Sequence, residues 1–393
     1  MVETISVDGL EADLYKIFDY LHENPEVSWK EFNTTNYVAK IFQQEGADVI
    51  TTFEDSPGLV AEIGDGPITV GIRADMDALW QEVDGVWRAN HSCGHDAHMT
   101  LALGVFLTLK KLRTSLPGKV KFIFQPGEEK GDGALAMIEK GVVDDVDYLY
   151  GVHLRPETEV GNGKATPAII HGAGSSIAGK ILGEDGHGGR PHLQPNAIEV
   201  GADLVNHLRG IRLDPMVPYS VKMTKFRAGG NNSNIIPGSA EFSLDLRAQT
   251  NQVMTLLKDK VEKVLSAISN LYGVEIHYKY TSSGVAAKVD EEAKDIMTEA
   301  IQQSIGVENV LPPSLTPGGE DFHFYSVKRP KVKATMLGLG CGLTPGLHHP
   351  KMTFDRKALI TGTEMLTRAI MLTFKKNGFD VMDKRKGQTL YQR

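Results

Sequence analysis

The order of strand-like and helix-like segments is the feature that most restricts the fold of this chain. Three short β-branched or aromatic runs, at 68–72, 120–124 and 146–152, are separated by segments whose apolar residues recur at helical spacing. Such alternation predicts an α/β sheet covered by helices. Polar residues follow each run, and open α/β sheets bind ligands at strand ends of this kind. We therefore expect a functional site beyond these three strands.

The middle of the chain follows a different order. Strand-like and helix-like segments succeed each other as β-α-β-β-α-β, the ferredoxin-like arrangement, at 177–182, 197–208, 219–226, 239–246, 253–267 and 274–280. A helix-like segment at 291–305, a strand-like run at 333–339 and a final helix then return to the first sheet. This order predicts an α/β domain, residues 1–173 and 284–393, with a mixed sheet and helices on both faces. Residues 174–283 would form an inserted α+β domain.

The overall composition excludes several classes of partner. The formal net charge of −8 leaves no basic surface for replacing counterions on a nucleic acid. The most apolar helical stretch, 101–112, is interrupted by Thr108, Lys110 and Lys111 and falls short of the roughly 18 apolar residues of a membrane span. Only two cysteines occur, Cys93 and Cys341, so no disulfide framework is expected. We predict a cytoplasmic protein that binds neither nucleic acid nor membrane.

A dense cluster of metal-ligating residue types occupies residues 91–98, His-Ser-Cys-Gly-His-Asp-Ala-His. Thiolate and imidazole donors suit zinc and similar divalent transition metals. The Cys-x-His spacing of Cys93 and His95 allows a turn to direct both donors at one point. The alternative interpretation is a helix N-terminus, with Asp96 in its first turn and solvated histidines.

Adjacent carboxylates, Glu128 and Glu129, follow the apolar run 120–124. At a strand end the two side chains can diverge, so that one ligates a metal ion while the other takes a proton from water that the cation has acidified. The alternative is a pair of exposed glutamates in a turn with Lys130, which would have no chemical role.

Four further residues are candidates for the same site. His153 and His348 each follow an apolar segment and would add two imidazoles, although a lone histidine is more often structural. Asp75 and Asp77 alternate along a strand end, so they face alike and could orient a histidine or the base. Capping of a helix or turn is the alternative role for both aspartates.

The chain resembles the dinuclear metallopeptidases that include aminoacylases and carboxypeptidases, and within them the hippurate hydrolase-like and indole-acetyl-amino-acid hydrolase-like amidohydrolases. The resemblance runs nearly from end to end. It rests on blocks that occur in the order RADMDAL (73–79), CGHDAH (93–98), QPGEE (125–129), GVH (151–153), GHGGRPH (186–192), NIIP (234–237), GEDF (319–322) and LHHP (347–350).

The resemblance implies two divalent metal ions in each subunit, Mn²⁺ or Zn²⁺, with Co²⁺ and Ni²⁺ as further candidates. Cys93 would bridge the two ions. The implied ligands are Cys93, His95, Glu129, His153 and His348. Glu128 is then the general base, and Asp77 is the supporting aspartate. His348 is preferred to its neighbour His349 because it fits the Leu-His-x-Pro pattern of the family.

The resemblance also assigns roles to the inserted domain. It would form a homodimer and carry His187 toward an active site, that of the partner subunit, where the imidazole would stabilise an oxyanion. Asn234 and Arg247 would hold the substrate, Arg247 through a carboxylate. Satisfying nearby backbone groups is the alternative role of both residues. Trp80 replaces the proline of most relatives, which makes transfer of substrate by analogy unsafe.

The expected function is that of a metal-dependent amidohydrolase, which cleaves the amide bond of N-acyl amino acids or related small amides. A dipeptidase, aminopeptidase or carboxypeptidase of the same family would use the same residues on another substrate. A homologue that has become a catalytically silent binding protein is the third interpretation, and the presence of Glu128 argues against it.

Overall fold

The computed structural model describes residue 7 and residues 9–112, 114–379, 382–383 and 388–389. Its α-helices are α1 Glu11–Glu23, α2 Phe32–Gln44, α3 His95–Leu112, α4 Gly133–Glu139, α5 Ala197–Arg209, α6 Asn251–Tyr272, α7 Glu291–Ile305, α8 His323–Lys328 and α9 Lys357–Lys376. Its strands are β1 Val49–Thr52, β2 Leu59–Ile63, β3 Thr69–Asp75, β4 Leu79–Val83, β5 Val86–Asn90, β6 Thr114–Ser115, β7 Lys119–Gln125, β8 Tyr148–Pro156, β9 Ala165–Thr166, β10 Ile169–His171, β11 Ala173–Leu182, β12 Gly186–His187, β13 Tyr219–Ala228, β14 Ile235–Ile236, β15 Ala240–Ala248, β16 Glu275–Ser283, β17 Ser314–Thr316, β18 Lys333–Leu343, β19 Met382–Asp383 and β20 Gln388–Thr389.

One compact unit contains the described residues up to Ile170, Lys288–Leu315 and those from Asp321 onward. Its main sheet has the strand order β1-β2-β7-β3-β8-β18-β9. The four strands from β7 to β18 are parallel, whereas β1, β2 and β9 pair antiparallel. The predicted mixed α/β sheet is therefore confirmed.

Helices cover both faces of this sheet, which explains why its central strands are nearly continuous apolar runs. On one face, Phe42 of α2 packs against Phe106 of α3 and against Phe122 and Phe124 of β7. On the other face, α4 contacts β7 and α8 contacts β18. Because β7, β3 and β8 are adjacent and parallel, their carboxyl ends lie at one edge of the sheet.

The second compact unit comprises His171–Ala287 and Thr316–Glu320. Its antiparallel sheet has the order β13-β15-β11-β16, and α5 and α6 pack on the face formed by alternate residues of β11 and β15. Asn196 and Thr250 cap these helices by accepting backbone N–H groups through their side chains. The ferredoxin-like fold predicted for the insert is confirmed. The domain limits of 174–283 stay a prediction.

The hairpin of β4 and β5 was not predicted from the sequence. Its turn residues Asp84 and Gly85 have φ of 51° and 81°, as expected for a two-residue type I′ turn. The signal was present, since Asp-Gly flanked by Val83 and Val86 is a hairpin pattern. In the part of the chain that the structure describes, none of the helices has the length and apolar character required to span a membrane.

Candidate metal centre and active site

Strand ends and one helix start bring the candidate residues together. Asp75 ends β3, Gln125 ends β7, and His153 lies in β8, next to β3 in the sheet. Cys93 lies two residues before His95, the first residue of α3. All these residues belong to the first compact unit, so a site beyond the three predicted strands is present as a geometric cluster.

Two groups of three donors share the Cys93 sulfur. Donor atoms of Cys93, His95 and His153 lie within 4.8 Å of one another, and so do those of Cys93, Glu129 and His348. Cys93 Sγ is 3.6 Å from His153 Nε2 and 3.3 Å from His348 Nε2. The five residues predicted as ligands therefore converge, with the thiol at the centre.

Glu129 and His348 form the outer side of this cluster. His348 Nε2 lies 3.6 Å from Glu129 Oε1, and the His348 backbone N–H donates to Ser92 O at 2.8 Å. The backbone of His348 is left-handed, with φ of 63°. An imidazole held in this uncommon conformation beside Cys93 agrees with the choice of His348 over His349.

Asp77 fixes the orientation of His95. Asp77 Oδ2 accepts hydrogen bonds from Ser28 Oγ at 2.6 Å and from the Glu129 backbone N–H at 3.0 Å, and Oδ1 lies 3.1 Å from His95 Nδ1. Burial raises the pKa of Asp77, but the hydrogen bonds from His95 and Ser28 outweigh it and lower the pKa below its usual value. An ionised Asp77 only accepts, so His95 carries its proton on Nδ1.

Two unpaired buried atoms in the donor set indicate a metal site. His95 Nε2 and Glu129 Oε1 are buried and have no hydrogen-bond partner among the described residues. Native proteins rarely leave buried polar atoms unpaired, and a bound cation would pair both of these atoms. A thiol, three imidazoles and a carboxylate also match the ligands that Zn²⁺ and similar ions prefer. The residues present therefore fit divalent metal ions.

The electrostatics of the cluster point the same way. Burial raises the pKa of the Cys93 thiol and of the Glu129 carboxyl, and it lowers the pKa of His153 well below its usual value. Burial also lowers the pKa of His95, but the Asp75 carboxylate and the hydrogen bond to Asp77 raise it well above its usual value. Burial thus favours the protonated thiol and carboxyl, and bound cations would stabilise their deprotonated forms and release the thiol proton.

His98 has a structural role in this arrangement. Its Nε2 accepts the Leu154 backbone N–H at 3.0 Å, so its Nδ1 carries the proton and donates to Asp75 Oδ1 at 2.7 Å. Both ring nitrogens of His98 are therefore occupied. The helix-start alternative for residues 91–98 holds in part, since Asp96 lies in the first turn of α3, but His91, His95 and His98 are buried rather than solvated.

Glu128 borders the donor groups. Its Oε2 lies 4.0 Å from His95 Nε2, and the side chains of Glu128 and Glu129 are only 12% and 11% exposed. The alternative of two exposed glutamates in a loop is therefore wrong. Glu128 begins a single 3₁₀ turn behind Gly127, whose backbone is left-handed. This turn directs both carboxylates toward His95, and the division of roles between them stays a prediction.

A buried network holds the strand ends that carry the site. Arg73 donates to Gln125 Oε1 at 2.8 Å, to Asp75 Oδ2 at 2.5 Å and to Asp321 Oδ1 at 2.7 Å. Gln125 and the Ala134 backbone N–H also donate to Asp321. These hydrogen bonds join three of the sequence blocks, 73–79, 125–129 and 319–322. Within the last block, Asp321 therefore has a structural role, which is to hold the strand ends together.

The remaining predicted site residues lie in the second compact unit. His187 is exposed and pairs across a two-stranded ladder with Ile235, the residue after Asn234. Its Nδ1 accepts the Gly189 backbone N–H at 2.9 Å. Arg247 is exposed and donates to both carboxylate oxygens of Asp245, at 3.0 and 3.1 Å. Arg247 therefore already has a carboxylate partner, and the roles predicted for His187, Asn234 and Arg247 stay predictions.

The contacts that the end of α1 and the loop between α1 and α2 make with the site were not predicted from the sequence. His22 Nδ1 lies 2.7 Å from Asp96 Oδ2, Ser28 donates to Asp77, and Glu31 Oε1 accepts the Gly127 backbone N–H at 2.9 Å. The signal in the sequence was slight, because polar residues in an interhelical loop are the normal case. A fully buried Glu31 becomes evident only in the folded chain.

Similarity to known proteins covers most of the chain. The profile of peptidase family M20/M25/M40 matches residues 71–372. Thermostable carboxypeptidase 1 of Saccharolobus solfataricus is 31% identical over 352 residues, which are 82% of this chain and 87% of that protein. N-acetylcysteine deacetylase of Bacillus subtilis is 28% identical over 371 residues, 90% of this chain and 95% of that protein. A dinuclear metal-binding M20 peptidase structure from Bacillus subtilis aligns with a TM-score of 0.79 at 24% identity, over 93% of this chain and 99% of that chain.

Proposed function

The chain belongs to peptidase family M20/M25/M40, and from this premise we propose that it is a two-metal hydrolase of N-acyl amino acids or closely related small amides. The observation that carries the proposal is the pair of three-donor groups that share Cys93. One sulfur at the centre of two donor sets is suited to bridging two ions. Hydrolysis of an amide or peptide bond is the reaction common to the named relatives, a deacetylase and a carboxypeptidase.

The proposed metal ligands are the five residues of the two groups. His95 and His153 would hold one ion and Glu129 and His348 the other, with Cys93 between them. Two divalent cations supply positive charge that polarises an amide carbonyl and makes an attacking water more acidic. Mn²⁺ and Zn²⁺ are our first candidates, followed by Co²⁺ and Ni²⁺, because thiolate and imidazole donors bind all of them.

We assign the proton transfers to Glu128. As general base it accepts a proton from the attacking water, and as general acid it returns that proton to the leaving nitrogen. Its side chain is mostly buried beside His95, where low solvent access favours proton transfer to substrate rather than to bulk water. Asp77 supports this step indirectly, because it holds His95 and the Glu129 backbone N–H.

The second compact unit would complete the site in a homodimer. We propose that residues 174–283 form an inserted dimerisation domain on a catalytic domain of residues 1–173 and 284–393. His187 of one subunit would stabilise the oxyanion formed in the other subunit, while Asn234 and Arg247 hold the substrate. For Arg247 this requires exchange of its Asp245 partner for the substrate carboxylate. A cytoplasmic location completes the proposal.

Subunit complementation tests the dimer. Glu128→Gln and His187→Ala are each expected to be inactive as pure homodimers. If His187 serves the partner's site, a heterodimer of the two variants contains one site with both residues intact. Mixed, unfolded and refolded subunits should therefore recover about a quarter of wild-type activity at a 1:1 ratio, from the random pairing of subunits. No recovery, or a monomer in sedimentation equilibrium, would refute the proposed arrangement.

A peptidase activity is the second candidate, because the carboxypeptidase relative is as similar as the deacetylase relative. The metal-loaded protein should be assayed for amino acid release from N-acetyl and N-benzoyl amino acids, dipeptides and longer peptides. We expect the highest kcat/KM on an N-acyl amino acid. A preference of more than about tenfold for peptides would favour the peptidase, and absence of any metal-dependent hydrolysis would favour a silent binding protein.

A further inference from the structure

Residues 28–31, Ser-Trp-Lys-Glu, contact both Asp77 and the turn that carries Glu128 and Glu129. We name them the 28–31 segment. Ser28 Oγ donates to Asp77 Oδ2, the same oxygen that accepts the Glu129 backbone N–H. Farther along the segment, Glu31 contacts the start of the turn that bears Glu128 and Glu129. One short segment thus supports this turn directly at Gly127 and indirectly, through Asp77, at Glu129.

Glu31 meets the turn at Gly127. Its side chain is fully buried, and Oε1 accepts the Gly127 backbone N–H at 2.9 Å. Gly127 has φ of 69°, a left-handed conformation that glycine adopts without strain, and it immediately precedes Glu128. Fixing the Gly127 N–H therefore fixes the Pro126–Gly127 peptide plane, so the chain enters the turn one residue before Glu128 in a set orientation.

Trp29 lies against the same glycine. A Cβ atom on Gly127 would approach Trp29 Cε2 to 2.7 Å, so the indole covers the turn directly. Trp29 Nε1 donates to Asp132 Oδ1 at 3.0 Å, beyond the other end of the turn. Trp29 itself has φ of 67°. A bulky residue in this region is strained, and such strain persists where the surrounding contacts over-determine it.

We infer that Glu31 is a positioning residue: through the Gly127 amide it holds the 127–129 turn so that Glu128 can transfer protons and Glu129 can bind metal. This inference rests on the proposed function, both for proton transfer by Glu128 and for metal binding by Glu129. Burial raises the pKa of Glu31 to about 8, which disfavours a negative charge at this position. Its contribution is then a hydrogen-bond acceptor of fixed position rather than a negative charge.

Three variants separate positioning from general stability. Glu31→Gln keeps an acceptor for the Gly127 N–H, whereas Glu31→Ala removes it. Glu26→Ala is the matched control, because Glu26 lies in the same loop and accepts the Thr34 backbone N–H and Oγ at 2.8 and 2.9 Å. Loss of that contact costs stability at the start of α2, and among the described contacts Glu26 makes none to Gly127.

The kinetic result follows from these contacts. Glu31→Ala should lower kcat about 10- to 100-fold, as is usual for residues that orient catalytic groups, with little change in KM. Glu31→Gln should stay within about threefold of wild type, and Glu26→Ala should lower the melting temperature but not kcat. Equal loss of kcat in Glu31→Gln and Glu31→Ala, or no loss in either, would overturn the inference. Should Glu31→Ala not fold, Glu31→Met replaces it, since it fills the space without an acceptor.

A metal titration makes the test independent of turnover. Calorimetry with MnCl₂ on chelator-treated protein should show about tenfold weaker binding for Glu31→Ala, because Glu129 lies on the same turn, and near wild-type binding for Glu31→Gln and Glu26→Ala. If wild-type protein binds Mn²⁺ but hydrolyses none of the amides, the proposed function fails while the titration still decides on Glu31. Unchanged Mn²⁺ affinity in Glu31→Ala would contradict its positioning role.

Discussion

Glu128→Gln is expected to abolish turnover while leaving the metal content of the protein intact. The amide has the size of the carboxyl group but cannot accept the proton of water, so kcat should fall by about three or more powers of ten. Glu128 is not needed for either of the three-donor groups that share Cys93. Metal analysis by inductively coupled plasma spectrometry and initial-rate kinetics on the preferred amide would measure both quantities.

Glu139→Gln serves as the control for this change. It makes the same carboxyl-to-amide replacement at an exposed position on α4, the helix that follows the turn, and should leave kcat unchanged. If Glu128→Gln retained more than about a tenth of wild-type kcat, Glu128 would not be the base. If it lost metal together with activity, Glu128 would be a ligand, in line with the third donor group that joins it to His95 and Glu129.

Cys93→Ala is expected to disturb both metal positions at once, because Cys93 is the one residue common to the two groups that we assign to the ions. The metal content should fall below two ions per subunit, and kcat should fall by more than about 100-fold, the upper end of the effects known for residues that only support ligands. The affinity for Mn²⁺ measured by calorimetry, together with kcat, checks both expectations.

The other cysteine provides a matched comparison. Cys341 is also buried, in β18, and belongs to none of the donor groups found among the described residues. Cys341→Ala should therefore cost stability through a small cavity but keep both ions and the activity. A Cys93→Ala variant that bound two ions with wild-type affinity would show that the thiol does not bridge them, and a mononuclear or differently liganded site would replace the present assignment.

Several features of the fold followed from local pattern alone. Alternation along β11 and β15, and helical spacing in α5 and α6, were sufficient to predict the ferredoxin-like unit, since each period reflects one buried face. The boundaries were less accurate. The strand predicted at 146–152 is observed at Tyr148–Pro156. Its pairing with β18 extends past Val152 to Pro156, through residues such as His153 and Arg155 whose local propensity does not indicate a strand.

For the candidate site, too, some features follow from local sequence and others depend on the tertiary structure. The sequence by itself determined which residue types were available and at what spacing, because Cys-x-His and adjacent glutamates are local patterns with local geometry. Only the tertiary structure decided that Cys93 lies between His153 and His348, that Glu128 is shielded, and that Glu31 reaches Gly127. The contacts of Cys93 with His153 and His348, and of Glu31 with Gly127, join residues separated by 60, 255 and 96 positions. The packing of strands and helices sets such distances, and no local period records them.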